Sequence, residues 1–383
     1  MQATHVHGPP TVAAAVALSV IGSAAFLILP QLIEAAVADL HFSDQQVGFL
    51  SSLLMLGSTV SAVAATFWVR RLSWRRAALT AAVGLLGTNL TSLVYHAAWP
   101  FMLLQCLSGF FGGSLYSLSL TVLSDSRHAD RHFGFAVAAQ VAFQVVGLLI
   151  GPALLRAAGM NAFLTAFLLL NVLAAALVPL LPVGGSRGKT SGGAAPLWTA
   201  PTLLALAGCF LFFFNVGSYW TYIELIGTRA GLATQVIANG LAVGVAFGIA
   251  GALLASWLGD RRGRLLPIGV GAALTVGAVV PLLAHFGVVI FVGSAIVYNF
   301  VWNLSLAFQY STVNAVDRSG RGVAAAPAFH AAGAAAGPAV AAFLIAPGNF
   351  RPVIFLVAAS VLLSFGCFRL ATRPGKLLQS ESY

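Results

Sequence analysis

The chain has 383 residues, of which 59% are hydrophobic and only 7% charged, and its formal net charge is +10. A soluble domain carries roughly 25% charged residues, so this chain lacks the polar surface to face water on all sides. Its basic residues sit in short breaks between apolar runs rather than on one soluble face, which argues against nucleic acid as a partner and fits the positive-inside pattern of membrane proteins.

Apolar runs of about 20 residues, each able to cross a bilayer as a helix, recur from end to end. Twelve spans are predicted, at roughly 11–36, 44–69, 76–96, 99–123, 134–156, 160–181, 199–227, 232–258, 265–285, 287–312, 323–346 and 350–371. They group into an N-terminal bundle (1–181), a linker (182–198), a C-terminal bundle (199–371) and a tail (372–383). The first ten residues hold no Lys or Arg, and no small-residue cleavage site is clear, so a removed signal peptide is not expected. With both termini cytoplasmic, sixteen of the 19 Lys and Arg fall on the cytoplasmic side, and only Arg156, Arg229 and Arg351 on the other. That bias fixes a multi-pass topology in an inner (plasma) membrane.

Span 1 carries Glu34 and span 7 carries Glu224, the two carboxylates set in mainly apolar helical sequence. Both lie well past mid-span toward the outer side, and a residue ~10 positions from a helix centre is ~15 Å away. They are either charges on an outer rim or an outer gate that binds a proton or cation. After span 2 comes the basic cluster Arg70-Arg71-Leu-Ser-Trp-Arg75-Arg76. Span 4 holds Gln105, Tyr116 and Ser117. Span 5 holds Gln144 and the run Gly147-x-x-x-Gly151-Pro152, whose glycines share one helix face and admit a close neighbour. Pro152 removes a backbone donor and can bend the helix.

The linker 182–198 is rich in Gly and Ser and is expected to be flexible. Its Gly-Lys-Thr lacks the strand and the glycine spacing of a phosphate loop. Span 7 adds Asn215, Tyr219 and Tyr222; these tyrosines are either cavity groups or interfacial anchors. The run Phe210–Phe214 reads as lipid-facing and packing surface. Between spans 8 and 9 lies Asp260-Arg261-Arg-Gly263-Arg264. Span 10 carries Asn299, Trp302, Asn303 and Gln309. Amides in an apolar span need partners or water, which points them toward a cavity.

Span 11 repeats the span 5 pattern with His330, Gly333, Gly337 and Pro338. His330 is the counterpart of Gln144. An ionisable ring in an apolar span is a candidate for cavity lining or proton coupling, the alternative being a neutral histidine bonded to a neighbour. Cys106, Cys209 and Cys367 all fall in apolar runs without metal-ligand spacing. No catalytic motif appears, and the turns leave no room for a catalytic domain, so neither an enzyme nor a cofactor or metal is expected.

The halves repeat one another. Arg70 and Asp260, Gln45 and Gln235, and Glu34 and Glu224 are each 190 positions apart. Ala142–Ala153 matches Ala328–Ala339, and Leu118-Ser-Leu120 matches Leu304-Ser-Leu306. Two parallel copies of one helical unit are the plan of one class of secondary transporters.

Ser256-Trp-Leu-Gly-Asp-Arg-Arg-Gly-Arg264 resembles the Gly-x-x-x-Asp-Arg-x-Gly-Arg signature of the major facilitator superfamily, with Ser256 in place of the first Gly. In the copy between spans 2 and 3, Arg70 and Ser73 replace the Asp and a Gly. Ala38–Gly48, Tyr219–Ile223 with Arg229–Leu232, and Gly147-x-x-x-Gly151-Pro152 are similar to the twelve-helix drug/proton antiporter branch, the arabinose-efflux-like permeases. That branch often carries an Arg in span 4, where this chain offers Gln105.

The resemblance implies an all-α polytopic membrane protein, with twelve transmembrane helices in two six-helix pseudo-symmetric bundles. It implies a cavity lined by spans 1, 4, 7 and 10, a rocking seam at the glycines of spans 5 and 11, and a gating charge network at the cytoplasmic ends. The implied function is secondary transport of a small organic solute by alternating access, as a monomer, with proton-coupled efflux as the leading form. Proton-coupled uptake of a small nutrient or aromatic compound is the alternative, and a non-transporting receptor on the same fold is the rival class.

Overall fold

A computed structural model describes residues 8–69, 71–126, 128–184, 199–259, 263–317 and 322–372. Twelve helices order this region, and it holds no sheet. They are α1 (Pro9–Leu27), α2 (Leu29–Leu40), α3 (Asp44–Trp68), α4 (Trp74–Ser92), α5 (Ala98–Ser124), α6 (Ala129–Leu177), α7 (Ala200–Arg229), α8 (Thr234–Leu258), α9 (Leu265–Val279), α10 (Val288–Val316), α11 (Gly322–Leu344) and α12 (Arg351–Ala371). Helices α1 and α2 form one crossing, interrupted at Ile28 (φ −108°, ψ 25°), where Pro30 cannot donate back to the preceding turn. The long run of α6 is two crossings. It breaks at Ala158 and at Gly159, whose φ is 56°.

That break has a sequence cause. Asp39, at the end of α2, accepts from the Met160 backbone amide and so caps the helical stretch that restarts there. A side chain at position 159 would collide with this carboxylate, so the turn needs glycine both for its left-handed backbone and for room. Ser43 and Gln46 form a capping box at the start of α3. Among the described residues, ten helical runs are long and apolar enough to cross a membrane. Counting α6 twice and adding the less apolar α4 gives the expected twelve crossings. Large apolar side chains such as Phe67, Leu253, Phe343 and Val289 face outward, as a lipid-contacting surface requires.

In the first half, α5 packs against α1, α3 and α4, and α6 against α1 and α4. In the second, α7 packs against α11 and α12, and α10 against α8 and α9. The repeat is visible in single contacts. A Cβ on Gly109 in α5 would strike the Leu54 carbonyl of α3, and one on Gly244 in α8 would meet the Ala295 carbonyl of α10 at 2.7 Å. Leu54 and Gly244, and Gly109 and Ala295, are counterparts, so the same close approach is kept with the glycine moved to the other helix. Gly109→Leu is therefore expected to destabilise the first half by roughly 1–3 kcal/mol or more through overpacking. A lowered thermal midpoint of the purified protein checks this.

The halves meet where α3 packs on α11, α6 on α8, and α2 on α7. The glycines of the repeated Gly-x-x-x-Gly-Pro runs lie elsewhere. Gly147 and Gly151 face Ile28 and Gln31 of their own half, and Gly333 and Gly337 face the Phe210 and Phe214 carbonyls of theirs. These glycine pairs close helices within a half, because the missing side chains are filled by the neighbouring helix of the same bundle, while α6 and α11 meet the other half through other residues, Pro338 among them. Pro152 and Pro338 lie within helices α6 and α11. A glycine packed tightly between the halves is Gly48 of α3. Its Cβ would meet the Pro338 carbonyl and the Ala342 Cβ, each at 2.8 Å, and also the Tyr222 hydroxyl.

Candidate functional site

At one end of the bundle, the α3–α4 turn and the start of α4 carry Arg71, Arg75 and Arg76, and Arg264 lies just before α9. At the far end the halves are tied together by polar contacts. Asp44 opens α3, and its carboxylate accepts from the Gly348 amide at 3.0 Å and lies 3.5 Å from Arg229 of α7. The Tyr222 hydroxyl donates to the Asp44 carbonyl (3.2 Å) and the Trp220 indole donates to the Phe26 carbonyl (3.2 Å). Gln235 reaches the Leu149 carbonyl at 3.4 Å.

Within this seam Glu34 of α2 and Glu224 of α7 meet side chain to side chain. Glu224 is fully buried. Its Oε1 accepts from Gln31 Nε2 at 2.9 Å, and Glu34 Oε1 accepts from the Thr234 hydroxyl at 2.8 Å. Glu34 Oε2, Glu224 Oε2 and Gln31 Oε1 are buried without a donor. Two of these three buried acceptors belong to the facing carboxyls, and each lacks a hydrogen. A hydrogen lying between the two carboxyls would give both of their free oxygens a partner. Gln31, whose role sequence reasoning missed, could have been found from its place one turn before Glu34 on the same helix.

Below the seam lies a cavity of about 750 Å³ between the halves. It runs from Phe26 and Leu27 down to Val69, Thr121 and Pro327, at the basic end. Tyr116, Ser117, Gln144, Asn299, Trp302, Asn303 and His330 line it, as do Asn89, Gln140, Asn171 and Tyr310, which sequence reasoning had not singled out. No Asp, Glu, Lys or Arg is among its described lining residues. His330 stacks on Phe213 at 4.2 Å between ring centres. Its Nδ1 lies 3.4 Å from the Tyr310 hydroxyl and its Nε2 lies 3.3 Å from Gln309 Oε1, an arrangement that satisfies a neutral imidazole. Its counterpart Gln144 shares the same cavity.

Five residues expected at the cavity point elsewhere. Gln105 turns into its own half and reaches the Ser92 hydroxyl at 3.3 Å. Asn215 accepts from the Tyr298 hydroxyl at 2.7 Å. Tyr219 stacks on Tyr298 with ring centres 3.6 Å apart. Tyr222 belongs to the far-end seam, and Gln309 sits behind His330. Each is polar in an apolar span, but another helix supplies its partner, so it needs no water-filled space. Phe213, from the run expected to face lipid, instead faces the cavity.

At the basic end, Arg75 donates to the Leu181 carbonyl (2.6 Å) and Arg264 to the Ser311 hydroxyl (2.8 Å), each within its own half. Arg71 and Arg76 are exposed, and Gly263 has a φ of 68°. Arg70, Asp260 and Arg261 lie outside the described residues, as do most of the linker and the tail.

A family model described as Major Facilitator Superfamily matches residues 13–326. The chain is 25% identical over 270 residues to an uncharacterized MFS-type transporter, YcaD, of Escherichia fergusonii, spanning 68% of this chain and 69% of that protein. Its fold is similar to a bacterial homologue of the human lysosomal transporter Spinster in an inward-facing, unoccupied conformation. The TM-score is 0.72 and the identity 13%, covering 96% of this chain and 98% of that one. It is also similar to the nucleoside transporter NupG, with a TM-score of 0.73 and 12% identity, covering 95% and 99%.

Proposed function

The chain belongs to the major facilitator superfamily, and from that premise we propose that it exports a small organic solute in exchange for protons. The protein is a multi-pass membrane transporter; the direction, the coupling ion and the residues are this reading's own content. An uncharged cavity between two halves, sealed at its far end by a seam that contains a carboxyl pair, carries the reading. Solute binds in the cavity. The Glu34–Glu224 pair takes a proton from the outside as the far end closes over it and gives that proton up to the cavity, and so to the cytoplasm, before the halves part there again to release solute. The groups facing the pair are Gln31 from α2 and Thr234 from α8. The nearby Asp44 and Arg229 are engaged with each other.

Coupling is thus spatially separate from solute recognition. His330 is assigned to solute contact, because both ring nitrogens are already matched by Tyr310 and Gln309. The basic loops support a cytoplasmic position for that end, with the far end outside the plasma membrane. The working unit is a monomer, since one chain contains both halves and the cavity.

The test is flux in proteoliposomes with an imposed pH gradient. Solute is expected to move against the proton flow, and collapsing the gradient should stop net movement. Solute that moves together with protons would assign uptake instead. Flux indifferent to the gradient would overturn the coupling.

A further inference from the structure

We infer that the cavity recognises an organic amine: an apolar, ring-sized body bearing a protonated nitrogen with N–H groups to donate. This rests on the cavity being the solute site proposed above. Four asparagines carry it, two from each half. Asn299 Nδ2 donates to the Ala295 carbonyl at 2.9 Å, Asn303 Nδ2 to the Asn299 carbonyl at 3.0 Å, and Asn171 Nδ2 to the Leu85 carbonyl at 3.3 Å. A backbone carbonyl only accepts, so the amide group beside it must be the NH2. That fixes which way round each side chain sits and leaves Oδ1 as its remaining acceptor. Asn89, 3% exposed, has an Oδ1 with no partner at all.

The cavity lining therefore includes asparagines whose nitrogens are tied to backbone carbonyls, which leaves their amide oxygens to accept. It favours a ligand rich in donors and opposes an anion, for which no cationic side chain lines the cavity. Phe26 and Trp302, packed edge to face at 6.5 Å, add ring surface that attracts a cation and accepts an apolar body. An ammonium group needs several acceptors at once, and amide oxygens from both halves supply them. A carboxylate is not needed, so binding stays weak enough for release.

Calorimetric titration of the purified full-length protein in lipid nanodiscs tests this with four compounds on one phenylethyl frame: 2-phenylethylamine, its trimethylammonium analogue, 2-phenylethanol and 3-phenylpropionate. The amine is expected to bind about tenfold tighter than the alcohol or the trimethyl analogue, the scale of one good hydrogen-bonding contact, with no binding of the propionate. Asn303→Leu should weaken the amine, and Asn303→Asp should strengthen it by supplying a charge. The Asp variant keeps the test decisive if the Leu variant fails to fold. The inference is overturned if the propionate binds as well as the amine, if the trimethyl analogue equals it, or if none of the four binds at millimolar concentration. Such a failure with proton-driven flux of another solute intact would leave the transport reading standing. Amine binding without proton-driven flux would do the reverse.

Discussion

Glu224→Gln is expected to abolish proton-driven flux, with a loss of about a hundredfold or more, the scale on which removing a titrating group from a committed step is felt. The variant keeps its shape. A Gln carbonyl oxygen can still accept from Gln31 Nε2, which now bonds the carboxylate at 2.9 Å. Its amide also mimics the protonated acid, offering the hydrogen that Glu34 Oε2 lacks. What the amide cannot do is release that hydrogen, so the seam should stay closed.

The sign of the pH effect follows from linkage. The proposed coupling gives the closed far end one proton more than the parted one, so linkage favours closure at low pH and opening as pH rises. The wild type should therefore open its far end with rising pH, while Glu224→Gln shows no such response. Spin labels at His41→Cys and Ala233→Cys, with Cys106, Cys209 and Cys367 replaced, would report the distance across that end. A wild-type-like pH response in Glu224→Gln would remove the carboxyl pair from the mechanism. His330→Gln, by contrast, is expected to lower solute affinity and leave the pH response in place.

Gly48→Leu is expected to hold the far end open and lower flux by at least about tenfold, because overpacking a close contact typically costs roughly 1–3 kcal/mol. The added side chain would press on the Pro338 carbonyl and Ala342 Cβ, both 2.8 Å from a bare Cβ. This contact exists only while the halves are together, so separating them relieves it. The cost therefore falls on the closed state and not on the fold. The same spin-label pair should show a longer distance at every pH, with the thermal midpoint unchanged. Gly109→Leu should do the opposite, lowering the midpoint, since its collision with the Leu54 carbonyl lies inside one half. A shortened or unchanged far-end distance in Gly48→Leu would show that α3 and α11 do not gate this end.

How far the site could be read from the sequence depended on the range of the interaction involved. Amides in apolar spans had to be satisfied, and that much was legible. Whether satisfaction came from a cavity or from a neighbour was not: Gln105 found Ser92 and Asn215 found Tyr298, while Asn299 and Asn303 line the open space. The glycine pairs declared a close approach but could not name the helix that approached. Glu34 and Glu224 stood out as odd carboxylates at matched positions. Their meeting depends on α2 and α7 being brought together across the halves.

The sequence by itself determined the class, the number of crossings and the doubling, because these follow from apolar run length, the placement of basic residues and repeated spacing, all local or periodic along the chain. It also determined that the protein contains few charges to place. Tertiary structure decided which polar groups share a space. Hydrogen bonds reach only about 3 Å, and helices hundreds of residues apart must already be packed before a carboxyl finds a carboxyl or an asparagine oxygen is left facing a cavity.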